Sequence, residues 1–153
     1  PSEEMIRADL YNFSGGASGL LALLGWGEAR GESVEGQIGV LCVVRNRVSE
    51  KKWYGNGYVD VILKPQQFSC FNEDDPNSRY LLTMAETWTS LAAEQPQPLR
   101  QLMCLARGIM DNNILDNTDG ANHYFATSIL PPTWATQENF VKKIGNHLFY
   151  RLS

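Results

Sequence analysis

Three carboxylates fall within eight positions of this chain, Glu28 to Glu35, in the stretch Trp26-Gly27-Glu28-Ala29-Arg30-Gly31-Glu32-Ser33-Val34-Glu35-Gly36-Gln37 between two strongly apolar segments. A carboxylate at the end of a buried helix is costly unless it is paired or functional. Burial there raises its pKa, so that it stays protonated and can donate a proton to a leaving oxygen. Glu28 is the candidate for that general-acid role. The competing reading is a helix-end glutamate that pairs with Arg30 or caps the next helix. Glu32 and Glu35 fall near the start of that next helix, where acids suit the positive dipole end. Their functional reading is as substrate-binding groups or as a second carboxyl. Most glycosidases use two carboxyls, but one suffices where the substrate supplies its own nucleophile, as an N-acetyl sugar can.

Gln67-Phe68-Ser69-Cys70-Phe71 reads as a loop held by helices, a common carrier of binding groups. Ser69 lacks an adjacent base and a Gly-x-Ser-x-Gly context, which argues against a serine nucleophile. Cys70 with His123 or His147 lacks the local signatures of cysteine proteases. The same two histidines lie in no metal-ligand spacing. A zinc site built with Asp111, Asp116 or Cys70 is the weaker reading beside a structural or substrate-binding one. Asp111, Asp116 and Asp119 miss the calcium-loop spacing and read as a solvated acidic turn. No metal and no organic cofactor is expected. In the last third, Tyr124, Phe125 and Trp134 cluster with Asn122 and Asn146. Aromatic faces and amides together suit sugar rings, and core packing is the alternative. The pattern favours the core for Phe125 and the cleft for Trp134.

The elements that position these groups are mostly helical. Residues 3–12, 17–30, 34–49, 78–94 and 99–111 carry helical periodicity, and the third of these looks almost wholly buried. Val59 to Leu63 fits either a strand or a helical turn. Asn122 to Thr127 and His147 to Leu152 look extended and could pair as a small antiparallel sheet. The sum is a mostly helical α+β domain spanning 1–153, with 1–16 as an N-terminal extension.

Composition sets outer bounds. At 153 residues with 43% apolar and 20% charged residues, the chain fits one globular domain. A net charge of −4 without a Lys/Arg block argues against a nucleic-acid partner. No apolar run is long enough for a membrane span. Pro1-Ser2-Glu3-Glu4 carries no basic n-region, so no signal peptide is visible, although a leader could have been removed. Cys42, Cys70 and Cys104 show no CxxC spacing. They allow one disulfide at most, and Cys42 and Cys104 read as buried thiols.

Gly27-Glu28-Ala29-Arg30-Gly31-Glu32, then Gly36-Gln37 and Val43-Val44-Arg45-Asn46-Arg47-Val48, resemble the SleB-type (spore-cortex-lytic) cell-wall hydrolases. Pro65-Gln66-Gln67-Phe68-Ser69-Cys70, Ala121-Asn122-His123-Tyr124-Phe125 and Ile144-Gly145-Asn146-His147-Leu148-Phe149-Tyr150 follow in the same order. The likeness spans about Leu20 to Arg151 and is poorest from Asn72 to Gln97. The resemblance implies a lysozyme-like catalytic domain that cleaves peptidoglycan glycan strands as a lytic transglycosylase or muramidase, with Glu28 as its acid. It implies action at the bacterial cell wall as a monomer. A phage-type endolysin would accumulate in the cytoplasm before release; a form with a removed leader would be secreted. Gln67, Phe68, Ser69, Asn122, His123, Tyr124, Trp134, Asn146 and His147, with Glu32 and Glu35, are the expected substrate-binding residues. A zinc-dependent amidase or peptidase and a non-catalytic glycan-binding domain are the alternatives.

Overall fold

A computed structural model describes residues 2–153; Pro1, the first residue of the expected extension, lies outside the described residues. The chain forms a mostly helical α+β fold with a small antiparallel sheet late in the sequence. Helix α1 (Glu3–Tyr11) drives Ile6 and Leu10 into the core. Helix α2 (Gly16–Ala29) is the central element. Its Leu20, Leu21, Leu23 and Leu24 are all buried, which explains why its apolar residues show no single face. It packs against α3 (Val34–Glu50), α4 (Tyr58–Leu63), α5 (Asn77–Glu86) and α6 (Leu99–Met110). The Ser33 side chain caps α3 by accepting from the Gly36 N–H at 3.2 Å.

The 59–63 segment resolves as helix α4. The expected 78–94 helix stops at Glu86. There Thr87, Thr89 and Ser90 favour local hydrogen bonds over helical ones, and the Thr89 carbonyl accepts from Gln95 at 2.7 Å. Trp88 leaves the helical path to pack edge-on against Phe13, 5.0 Å between centroids.

The sheet has three strands, not two. Strands β1 (His123–Ala126), β2 (Phe140–Ile144) and β3 (His147–Tyr150) lie in the order β1-β3-β2, all antiparallel. The strand missed in the sequence is β2. Gly145-Asn146 joins it to β3 as a two-residue hairpin loop, with Gly145 at φ +56° in the first loop position. One sheet face carries Tyr124 opposite Phe149 and turns toward α3. The other carries His123 opposite Tyr150, with Phe125 beside them.

Three consecutive polar side chains at the end of α3 attach the 109–122 segment. Arg45 donates to the carbonyls of Ile109 and Ile114 at 3.0 and 2.8 Å. Asn46 donates to Asp116 and to the Ala121 carbonyl at 3.0 and 2.8 Å. Arg47 donates to the Asn122 carbonyl at 2.7 Å. Asp116 also accepts from Thr118 and Gly120, so it organises this turn and is not merely solvated as expected; Asp111 and Asp119 are exposed. All three cysteines are free. Cys42 and Cys70 are buried, but Cys104 is exposed on the outer side of amphipathic α6, against expectation. No helix among the described residues is long and apolar enough to cross a membrane.

Candidate active site

Glu28 lies in the last turn of α2, where the helix meets the short turn Ser69–Phe71. That approach depends on Gly27. A Cβ there would stand 2.6 Å from the Cys70 Cβ, closer than side chains tolerate. With only hydrogen at Gly27, the Cys70 backbone N–H reaches Glu28 Oε1 at 3.2 Å. The residue keeps partial exposure toward a shallow cleft, while its carboxyl is enclosed. Desolvation raises the Glu28 pKa above the ordinary carboxylate value, against the lowering effect of donors on Cys70 and Tyr124. The protonated form is therefore favoured, and donors stand ready for the carboxylate that proton transfer would leave.

Tyr124 and Cys70 complete this wall. Burial, then the neighbouring Glu28, push both their pKa values well above the ordinary. Neither ionises near neutrality. The Tyr124 hydroxyl is buried without a hydrogen-bond partner, although it lies close enough to Glu28 to act on its charge. Beneath them Arg47 is 4% exposed, its guanidinium 4.9 Å from the Tyr54 ring centre and 5.1 Å from that of Phe68. Its Nη1 donates to Gln67 Oε1 at 3.4 Å. Arg47 was not singled out as a site residue, yet an arginine set among Val40, Val43, Val44 and Val48 was a visible signal of a buried charge with a task.

Glu28 and Glu32 line the same cavity of about 320 Å³, with Arg30 and Asn77 on its rim. Their chemical states differ. Glu32 Oε1 accepts from the Asn146 backbone N–H at 2.8 Å, and Oε2 from the Asn146 amide at 3.1 Å. Burial works to raise the Glu32 carboxyl, but the Asn146 donors and His147 outweigh it and hold it below the ordinary value. His147 Nδ1 lies 3.4 Å from Glu32 without a hydrogen bond. Burial lowers its pKa more than Glu32 raises it. Glu32, Asn146 and His147 thus clamp the β2–β3 loop onto the α2–α3 corner.

The other expected residues separate into two groups. Gln67, Phe68, Tyr124 and His147 belong to the Glu28 side of the sheet: Tyr124 lies 6.4 Å from Phe68 and 5.2 Å from His147, ring to ring. Ser69 is exposed at the start of the turn that holds Cys70. Asn122 is fully buried, its amide spent on Glu50 and on the Leu152 backbone. His123 packs 4.8 Å from Trp134 on the opposite sheet face, and burial, then Arg47, lower its pKa to about 4. Trp134 also packs against Phe125 and Tyr150 there. Period-two alternation puts His123 and Tyr124 on opposite faces, so Trp134 joins Phe125 in packing and does not stand beside Glu28 as expected. Glu35 is exposed in the first turn of α3, where its carbonyl accepts from Asn117. Among the described residues, no three His, Cys, Asp or Glu side chains converge as a metal-ligand set.

A mostly helical body and a late three-stranded sheet thus enclose one carboxyl of raised pKa above an open cleft. The profile of the cell wall hydrolase family matches residues 31–150, and the chain belongs to that family. Glu28 lies just before the matched span. The spore cortex-lytic enzyme of Bacillus cereus is 28% identical over 131 residues, covering 85% of this chain and 42% of that protein. The namesake from Halalkalibacterium halodurans is also 28% identical over 131 residues, covering 85% of this chain and 33% of its own length. The chain thus spans less than half the length of these relatives. The catalytic domain of the germination-specific lytic transglycosylase SleB from Bacillus anthracis superposes with a TM-score of 0.61 at 24% identity, covering 92% of this chain and 98% of that one. The catalytic domain of Bacillus cereus SleB gives 0.62, again at 24% identity, covering 92% and 93%. At that identity the likeness is one of fold.

Proposed function

We propose that this domain cleaves peptidoglycan glycan strands between N-acetylmuramic acid and N-acetylglucosamine as a lytic transglycosylase, with Glu28 as its single acid and base. The observation that carries the reading is the contrast between the two carboxyls of the cleft. Glu28 has a raised pKa and waiting donors, whereas both Glu32 oxygens are committed to Asn146. Protonated Glu28 gives its proton to the glycosidic oxygen as the bond to C1 breaks. The N-acetyl group of the muramic acid stabilises the positive charge that develops at C1. The Glu28 carboxylate, held by the Cys70 N–H, then takes the proton of the C6 hydroxyl. That oxygen closes onto C1 and leaves a 1,6-anhydro end. The proton count closes on one residue, so no second free carboxylate is needed. Membership of the cell wall hydrolase family and the names of the relatives support the substrate.

Mass spectrometry of soluble fragments from purified peptidoglycan tests the reading. Disaccharide-peptides one water lighter than hydrolysis products are expected from the native chain and not from Glu28→Gln. Fully hydrated reducing ends would replace it with a hydrolytic muramidase, and free stem peptides with an amidase.

A further inference from the structure

The rim of the cleft carries a cluster that the chemistry of Glu28 does not use. Trp26 and Arg30 stand one helical turn apart at the end of α2, and the Arg30 guanidinium lies 4.0 Å over the Trp26 ring. Arg30 Nη1 is pinned twice, to the Trp26 carbonyl at 3.1 Å and to Asn77 Oδ1 at 2.9 Å. Both bonds leave from Nη1, so the exposed side chain keeps its Nε–H and Nη2 hydrogens for another acceptor. Across from Trp26, Tyr80 on α5 lies 6.2 Å away at a 52° tilt and is 62% exposed. Arg30 and Asn77 line the same cavity as Glu28, so the cluster is continuous with the cleft.

A single exposed aromatic needs no explanation. Here an exposed ring, Tyr80, sits beside a second aromatic, Trp26, whose face carries an arginine pinned at the edge of the cleft. Such a pairing matches the two surfaces of a pyranose: an apolar C–H face that stacks on an aromatic, and a hydroxyl and carbonyl rim that accepts from fixed N–H groups. Pre-fixing the guanidinium lowers the ordering cost of binding. We infer that Trp26, Arg30, Asn77 and Tyr80 form a saccharide-binding subsite that holds a sugar of the strand next to the cleaved bond. The subsite rests on the glycan-cleaving reading of the cleft. The sugar ring stacks on Tyr80 while Arg30 bonds its rim.

The test uses the full chain carrying Glu28→Gln, which binds without turnover, and soluble glycan strands purified from peptidoglycan. Adding Tyr80→Ala is expected to weaken binding about three- to tenfold, the range of an aromatic contact. Tyr80→Phe is expected to restore it, and Arg30→Met to weaken it. Equal binding by the Tyr80→Ala and Tyr80 proteins would overturn the subsite and leave the Glu28 reading standing. So would an equal loss in Tyr80→Ala and Tyr80→Phe, since stacking survives in the latter. Failure of the Glu28→Gln protein to bind strands with Tyr80 intact would overturn both.

Discussion

At the scale of single residues, one carboxyl has been placed where the fold resists its ionisation. Desolvation raises the Glu28 pKa above its ordinary 4.5. A raised carboxyl contributes stability in full below its unfolded value, and that contribution is lost as pH rises through the folded value. Glu28→Gln carries no ionisable group there, so its melting temperature should gain on the native chain as pH rises above the ordinary carboxylate value of 4.5. Thermal unfolding across that range checks the sign, and a constant difference would place Glu28 in a solvated setting. The same change should cut strand cleavage by at least about 10²- to 10⁴-fold. Tyr124→Phe probes the neighbour. Its hydroxyl has no hydrogen-bond partner, so its loss should leave stability nearly unchanged. Removing a group that lowers the Glu28 pKa should move the alkaline limb of kcat/KM to higher pH. An unmoved limb with unchanged activity would separate Tyr124 from the chemistry.

At the scale of elements, the site depends on two contacts between pieces far apart in sequence. Gly27 lets the Ser69–Phe71 turn lie against α2, and Glu32 ties the β2–β3 loop to the α2–α3 corner. Gly27→Ala should push the turn away at a cost of about 1–3 kcal/mol, the usual range of overpacking. Because the displaced residue, Cys70, carries the backbone N–H that donates to Glu28, activity should fall more than stability does, as paired melting and cleavage assays would reveal. Glu32→Ala removes charged hydrogen bonds worth about 1.5–3 kcal/mol. Its carboxyl is held below the ordinary value, so this contribution is present above the unfolded pKa and lost as pH falls through the folded one. The native chain and Glu32→Ala should therefore converge in melting temperature in acid. The sequence made these elements legible to different degrees. Buried leucines and valines announced α2 and α3, and the adjacent Tyr and Phe announced β1. Strand β2 was hidden because Phe140 to Ile144 is only half-buried and carries two lysines, although Gly145-Asn146 beside it is a hairpin signal. The enclosed setting of the Glu28 carboxyl and the upward direction of its pKa were legible from its type and its place at the end of an apolar helix. The role of Trp134 was not, because which sheet face a loop covers depends on register and on chain 127–139 folding back, neither of which periodicity encodes.

At the scale of the whole molecule, the apolar core and the sheet are joined by different forces. The main core is drawn chiefly from α1, α2, α3, α4 and α6, and Phe149 is the one strand residue buried within it. The outer face of the sheet keeps its own aromatic cluster of Phe125, Trp134, Phe140 and Tyr150. Between the two runs the polar row Arg45, Asn46 and Arg47, whose hydrogen bonds end on the 109–122 segment. Directional bonds to backbone carbonyls lose their worth as a unit when the segment lifts, whereas the helical core keeps its apolar burial. The sheet should then open as a separate unit of lower free energy than global unfolding. Amides of β1 and β3 should exchange faster with solvent than those in the middle of α2. Asn46→Ala removes two of the tethers and leaves Asp116 short of a donor, at a cost of about 1–3 kcal/mol. Exchange at His123 to Ala126 should accelerate roughly ten- to a hundredfold, while Leu20 to Leu24 change little under conditions where α2 still opens locally. Since Tyr124 stands on the sheet and Glu28 on α2, the wall around the Glu28 carboxyl spans both units, and the proposed cleavage should fall with the loosening of β1 before the helices melt. Equal acceleration in the strands and in α2 would mean that the sheet and the helical body unfold together.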